Sequence, residues 1–169
     1  LHYAPKSLVA GMGCERGTSP EEIITLLSET LKAHNLAPEA LAAIATIDLK
    51  ADEPGLIAAA AHFDVPLRLF SPDQLNQEAA RLPNPSAIVA AEIGVPGVAE
   101  AAALKAGTLL VEKQKSKRAT CAIGLAPKPV DPDQLGRAPG LLHLVGIGPG
   151  EAGQRTHSAV TALKTATDW

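Results

Sequence analysis

The chain has 169 residues and a formal net charge of −3, and 46% of its residues are hydrophobic while only 2% are aromatic. The weak negative charge and the scarcity of aromatic rings argue against nucleic-acid binding, which needs a basic surface and stacking side chains. The sequence shows no signal peptide and no apolar run long enough to cross a membrane. Because Cys14 and Cys121 are the only cysteines, we expect a cytoplasmic protein with two free thiols.

Apolar stretches of strand length alternate with stretches of helical periodicity along most of the chain. The predicted strands are residues 7–11, 42–47, 67–70, 108–112 and 120–125, and the predicted helices are residues 20–33, 53–63, a short one from 72, one after 86, and 97–106. This alternation predicts an α/β fold of three layers, with a mainly parallel sheet and helices on both faces. Because ligands of such sheets bind beyond the carboxyl ends of the strands, the loops after residues 10, 47, 70 and 111 form the expected ligand edge.

The first of these loops is rich in glycine. The segment Gly11-Met12-Gly13-Cys14-Glu15-Arg16-Gly17 connects a strand to a helix. Its glycines are predicted to allow positive φ and close approach of a ligand, and the N–H groups at the helix start, with the charge of Arg16, favour an anion. The start of the helix can also be explained without a ligand, with Ser19 as N-cap, Pro20 at N1 and Glu22 closing a capping box. This alternative does not explain the three glycines.

The composition changes after residue 126. Residues 127–140 are rich in proline and polar side chains and are predicted to be a linker. Residues 141–150 read as another strand that enters a glycine-rich turn, and residues 151–168 read as a helix. A single strand and helix cannot bury a core, so residues 141–169 are predicted to be the truncated start of a second domain, after a first domain at residues 1–126.

Four segments of the chain form a recognisable set: residues 11–18, residues 45–56, Pro85-Ser86 with residues 94–104, and residues 113–116 with residues 119–123. Together, and in this order, they resemble the CobE/CbiG C-terminal domain of cobalamin biosynthesis. The resemblance implies a substrate of the precorrin class, a tetrapyrrole fringed with carboxylates. It also implies a part in the hydrolysis of cobalt-precorrin-5A, in which a lactone is opened and acetaldehyde is released.

The end of the chain resembles a different family. Residues 145–150, with Thr156 and residues 159–162, are similar to the start of a precorrin methyltransferase, most closely the precorrin-3B C(17)-methyltransferase. This resemblance implies a fusion protein whose complete methyltransferase domain uses S-adenosylmethionine as its cofactor. No cofactor is expected for the first domain, and no methylation is expected from this chain.

Basic and small residues within these segments are predicted to bind the carboxylated substrate. Lys113, Lys115 and Lys117 occupy alternate positions, so in an extended segment they point the same way; the alternative is a solvated run of charge. Cys14 is either a nucleophile beside Arg16 or a small filler of a tight loop. The predicted substrate-binding residues are Gly11, Gly13, Cys14, Arg16, Gly17, Lys50, Ser86, Lys113, Lys115 and Ser116.

Opening a lactone requires an activated water and a stabilised oxyanion. The carboxylates within the motifs, Glu15, Asp52 and Glu53, are the predicted catalytic residues, although Glu53 before Pro54 also fits a first-turn acid. No histidine or cysteine pair has the spacing of metal ligands, so no metal is expected.

Three classes of function remain open at this point: a hydrolase-type domain, a non-catalytic corrinoid-binding module and a structural module. The expected partners are a precorrin and other enzymes of the corrin pathway, with neither nucleic acid nor a membrane.

Overall fold

The computed structural model describes residues 4–86, 94–140, 145–146 and 156–166. The chain divides into two compact units, Leu1–Pro139 and Gly140–Trp169. The first unit contains the sheet and all the features described below, except for one helix in the second unit. The division into a domain of residues 1–126, a linker and a truncated second domain stays a prediction.

The first unit is built on a sheet of five strands. They are β1 (Leu8–Cys14), β2 (Leu41–Ile47), β3 (Leu67–Phe70), β4 (Thr108–Lys115) and β5 (Ala119–Leu125), in the order β3-β2-β1-β5-β4. β1 pairs in parallel with β2, and β2 with β3, whereas β5 pairs antiparallel with both β1 and β4. Four strands therefore run in one direction and β5 runs against them, because a tight turn connects it to β4. The predicted α/β fold is confirmed, with a mixed sheet.

Helices cover both faces of this sheet, as the three-layer prediction requires. They are α1 (Pro20–Ala33), α2 (Pro54–His62), α3 (Pro72–Asn76) and α4 (Val98–Leu104). Ile23 and Leu27 of α1 share a core cluster with Leu56 of α2, while Leu75 of α3 shares another with Val98 of α4. Since successive strand residues point to opposite faces, β1 supplies Ala10 and Met12 to the first cluster and Val9 to the second. The prediction of the helix after residue 86 falls largely outside the described residues.

Two glycines let α4 lie directly on the sheet. A Cβ at Gly11 would stand 1.9 Å from the carbonyl oxygen of Ala99, and one at Gly124 would stand 1.9 Å from that of Ala103. Both glycines are buried. Gly11 therefore serves close packing between helix and strand, and its predicted contact with a substrate stays a prediction.

The start of α1 matches the sequence in part. The Ser19 hydroxyl accepts a hydrogen bond from the Glu22 N–H at 3.3 Å, and Pro20 occupies the first turn. The predicted capping box is wrong, because the Glu22 carboxylate accepts hydrogen bonds from the β4–β5 turn instead.

The predicted linker contains residues that pack on the edge of the sheet. Arg137 exchanges two backbone hydrogen bonds with Leu69 of β3, at 2.8 and 2.9 Å. Leu135 is buried, and its carbonyl accepts a hydrogen bond from the buried Arg68 guanidinium at 2.7 Å. This bridge occupies the backbone groups of Leu69, which the edge strand would otherwise present for pairing. This part of the segment therefore belongs to the folded unit.

The second unit contributes one described helix, α5 (His157–Thr165), within the predicted range of residues 151–168. The Thr156 hydroxyl caps it by accepting a hydrogen bond from the Ala159 N–H at 3.2 Å. The predicted strand and glycine-rich turn at residues 141–150 lie largely outside the described residues. Within the described part of the chain, no helix has the length and apolarity to cross a membrane.

Candidate functional site

A cavity of about 630 Å³ opens at the carboxyl ends of β1, β2 and β4. The loops after β1 and β2 and the β4–β5 turn contribute much of the lining, and Ser86 and the start of α4 also belong to it. The loop after β3, also predicted at this edge, contributes no described residue. The volume suits a ligand of substantial size.

The lining of this cavity, which we call the basic pocket, is strongly cationic. Its described lining contains six basic side chains and a single acidic one, Glu15; the basic residues are Arg16, Lys50, Lys113, Lys115, Lys117 and Arg118. A concave surface of one charge sign concentrates ligands of the opposite sign. The whole chain is weakly acidic, so this positive charge is a local property of the pocket.

Carboxylates that follow β2 hold the glycine-rich loop in place. Arg16 donates to Asp52 and to the Leu49 carbonyl, each at 2.6 Å, and the Gly17 N–H donates to Glu53 at 2.9 Å. The hydrogen bond from Arg16 lowers the pKa of Asp52. Gly17 has the predicted positive φ, at +69°, whereas Gly13 continues β1 as a strand residue. Asp52 and Glu53 therefore shape the loop from behind, and neither lines the basic pocket.

The third predicted catalytic carboxylate, Glu15, does line the pocket. Its carboxylate accepts a hydrogen bond from Arg118 Nε at 2.9 Å, and the same guanidinium also donates to the Arg16 carbonyl at 2.7 Å. Arg118 thus joins the β4–β5 turn to the glycine-rich loop. Sequence reasoning did not select Arg118, although it ends the basic run that begins at Lys113.

The β4–β5 turn is also attached to α1. The Glu22 carboxylate accepts hydrogen bonds from the Ser116 hydroxyl at 2.6 Å and from the Arg118 N–H at 2.7 Å. These two bonds, the Ser116 one foremost, lower the pKa of Glu22. Ser116 lines the pocket while its hydroxyl is committed to this attachment.

Cys14 lies half-buried at the end of β1, where it contacts both the core and the pocket. Burial raises the pKa of its thiol to about 11, against the opposing effect of Lys50. The thiol is therefore protonated at neutral pH and is a poor nucleophile. This favours the interpretation of Cys14 as a small filler.

Lys113, Lys115 and Lys117 of the hairpin all line the pocket. Lys113 Nζ donates to the Asn84 carbonyl at 2.5 Å. Among the residues that the structure describes, no hydrogen bond or ion pair is recorded for the amines of Lys50, Lys115 and Lys117. These three cations are available to a ligand.

Most of the predicted substrate-binding residues come together here. The pocket lining contains Gly13, Cys14, Arg16, Lys50, Ser86, Lys113, Lys115 and Ser116. Gly11 and Gly17 are not in it. The roles of these residues in binding and catalysis stay predictions. Within the described residues, no group of three or more histidine, cysteine or acidic residues is placed to hold a metal ion.

Comparison with known proteins gives a consistent result for the first unit. The family described as Cobalamin synthesis G C-terminus matches residues 8–124. The chain belongs to this family. Protein CobE of Sinorhizobium sp is 44% identical over 124 residues, which cover 71% of this chain and 80% of that protein. The cobalt-precorrin-5A hydrolase of Priestia megaterium is 38% identical over 128 residues, which cover 74% of this chain.

Solved structures of the family have the same fold. A crystal structure of CobE, a protein from the cobalamin biosynthetic pathway, matches with a TM-score of 0.64 and 38% identity, over 69% of this chain and 88% of that one. The cobalamin biosynthesis protein chiG of Agrobacterium tumefaciens matches with a TM-score of 0.56 and 31% identity, over 72% of this chain and 99% of that one.

Family membership places the chain in cobalamin biosynthesis. The matched part spans most of CobE but only 34% of the Priestia megaterium hydrolase. The basic pocket falls within the matched residues, because its lining extends from Gly13 to Thr120. The second unit lies outside the match with the family.

Proposed function

We propose that the basic pocket binds a precorrin through its peripheral carboxylates and that the domain takes part in the opening of a precorrin lactone. The single observation that carries the binding step is the pocket's charge, six basic side chains against one acidic side chain among the described lining residues. Several cations spread over one concave wall suit a macrocycle with carboxylates along its rim, and charge-assisted hydrogen bonds make such contacts directional.

The lactone-opening step is supported by the cobalt-precorrin-5A hydrolase relatives, of which this chain covers about a third. A pocket rich in cations can stabilise the oxyanion that forms when water adds to the lactone carbonyl. Lys50 and Lys115, whose amines make no hydrogen bond or ion pair within the described part of the chain, are suited to this role.

A second candidate function is binding without catalysis. It is favoured because each predicted catalytic carboxylate already has a hydrogen-bond partner in the protein. Glu15 is paired with Arg118, Asp52 with Arg16, and Glu53 with the Gly17 N–H. A general base needs a carboxylate oxygen within reach of the attacking water. Under this alternative the domain holds the precorrin for another enzyme of the pathway.

We further propose that residues 141–169 open a methyltransferase domain with S-adenosylmethionine as its cofactor, in a fusion with the first unit. Similarity of residues 145–150 and of the helix after Thr156 to precorrin methyltransferases supports this part of the proposal. The capped start of α5 at Thr156 is compatible with it.

Porphyrins with decreasing numbers of carboxylates test the binding step. We expect uroporphyrin to bind more tightly than coproporphyrin, and coproporphyrin more tightly than protoporphyrin, measured by the change in porphyrin absorbance. The affinity for uroporphyrin is expected to fall as salt rises from about 20 mM to about 200 mM. An apolar cleft would bind protoporphyrin most tightly and uroporphyrin least tightly. This order of affinities contradicts the proposal.

Cobalt-precorrin-5A then separates the two candidates. Release of acetaldehyde is measured through the oxidation of NADH by added alcohol dehydrogenase, and such release supports lactone opening. Binding of this compound with no acetaldehyde above a protein-free control supports the binding module instead.

A further inference from the structure

A buried carboxylate stands behind the basic pocket, and no prediction from the sequence included it. Glu100 in α4 is 0% exposed, although the rest of its helix is built from alanine, valine and leucine. Its Oε1 accepts hydrogen bonds from Asn84 Nδ2 at 2.9 Å and from the Lys113 N–H at 3.0 Å. Glu100 therefore joins three walls of the pocket: the start of α4, β4, and the loop that leads to Ser86.

The second carboxylate oxygen of Glu100 is unfavourable for the stability of the fold. Glu100 Oε2 is buried and has no hydrogen-bond partner among the described residues. A carboxylate that is removed from water with one oxygen unpaired destabilises a fold, and an apolar side chain of similar volume is often better. A role in the basic pocket explains why a carboxylate occupies position 100.

The contacts of Glu100 lead to one lysine of the pocket. Lys113 is held at its N–H by Glu100, and its amine donates to the carbonyl of Asn84, whose side chain Glu100 also holds. A further hydrogen bond connects Asn84 Nδ2 to Glu112 at 3.1 Å. Lys113 is thus fixed at both ends, whereas no hydrogen bond or ion pair is recorded for the amines of Lys115 and Lys117 in the described part of the chain.

We propose that Glu100 is a positioning residue of the basic pocket, which fixes the amine of Lys113 through Asn84 so that it meets a carboxylate of the bound tetrapyrrole. An amine that is fixed before binding loses less conformational entropy on contact with the ligand than an amine that no hydrogen bond holds. Lys113 then sets the register of the macrocycle, and Lys115 and Lys117 adapt to it. This inference rests on the proposed function for the identity of the ligand.

The first experiment needs no ligand. The folded chain is treated with an amine-reactive N-hydroxysuccinimide ester, and the rate of modification is measured for each lysine by mass spectrometry. We expect Lys113 to react several-fold more slowly than Lys115 and Lys117, which serve as internal references. In Glu100→Ala, Lys113 is expected to react as fast as these references, while Glu100→Gln keeps the slow rate because its amide oxygen can accept both hydrogen bonds.

A fast reaction of Lys113 in the parent chain overturns the proposal, and so does a slow reaction in a folded Glu100→Ala variant. If Glu100→Ala does not fold, Asn84→Ala replaces it. Asn84 is an exposed residue, and its substitution removes the bond to Glu100 while keeping the carbonyl. The amine of Lys113 is again expected to react faster.

The second experiment is a double-mutant cycle with uroporphyrin as the probe. Lys113→Ala and Glu100→Ala are each expected to weaken binding about threefold at low salt, which is typical of a partly exposed ion pair. The double variant is expected to bind no more weakly than Lys113→Ala alone, because Glu100 acts through that amine. Additive losses in the cycle indicate a general structural role and overturn the proposal. If uroporphyrin does not bind the parent chain, the proposed function fails, and the labelling experiment still decides the role of Glu100.

Discussion

The glycine-rich loop and the β4–β5 hairpin both line the basic pocket, and they use charge differently. In the loop, Arg16 is paired with Asp52, and Glu15 with Arg118. In the hairpin, no ion pair is recorded for Lys115 and Lys117 among the described residues. Paired charges fix the shape of the loop and its junction with the hairpin, while Lys115 and Lys117 are available to a ligand. A motif rich in charged residues therefore does not by itself identify a binding residue.

The largest expected effect tests whether the loop glycines serve the scaffold. Gly11→Ala places a Cβ 1.9 Å from the Ala99 carbonyl oxygen, so α4 must move, and we expect a loss of about 3 kcal/mol in the free energy of unfolding. The matched control is Gly17→Ala. That glycine has open space around it but a φ of +69°, which predicts a loss of only about 1 kcal/mol. Urea unfolding measures both, and equal losses contradict the packing role of Gly11.

A smaller effect sharpens the contrast between paired and unpaired cations. Lys115→Ala is expected to weaken uroporphyrin binding about threefold at low salt and to flatten the salt dependence, because a cation available to the ligand is removed. Lys6→Ala, with the same change in net charge, is the control. Lys6 precedes β1 and lies about 25 Å along the extended chain from Cys14, at the pocket end of the strand, so no effect on binding is expected.

Arg16→Ala completes this comparison in the same titration. Because the guanidinium already pairs with Asp52, we expect this variant to lose thermal stability and to change binding less than Lys115→Ala does. If Arg16→Ala loses more affinity than Lys115→Ala, Arg16 contributes more to binding than Lys115 does, and the comparison between loop and hairpin is wrong.

The smallest expected effect concerns the attachment of the hairpin to α1. Hydrogen bonds from Ser116 and the Arg118 N–H lower the pKa of Glu22 below its ordinary value of 4.5. The stabilisation from the Glu22 charge is therefore complete at pH values above 4.5 and is lost as the pH falls through the lowered pKa. Parent and Glu22→Gln are expected to differ in melting temperature at about pH 6 and to converge near about pH 3. If the two melting temperatures still differ at the lowest pH, the charge of Glu22 does not have this stabilising role.

Much of the fold could be predicted from the sequence because its signals are local. The predicted helix at residues 20–33 has the observed bounds of α1, with Ser19 as its cap, since periodicity and capping depend on neighbouring residues. All five predicted strands are present in the sheet. Lys113, Lys115 and Lys117 follow a strand that was predicted to end at the ligand edge, and all three line the pocket.

The rest depends on residues that are distant in the sequence. Glu22 binds the hairpin and not its own helix start, since Ser116 and Arg118 reach it only in the folded sheet. Glu100 meets Asn84 and Lys113 across three separate segments, and the only local sign of it is one acid in an apolar helix. Local sequence thus determined the elements and the edge of the sheet at which the pocket opens. Tertiary structure decided which charges pair, because pairing depends on distances that only the folded chain defines.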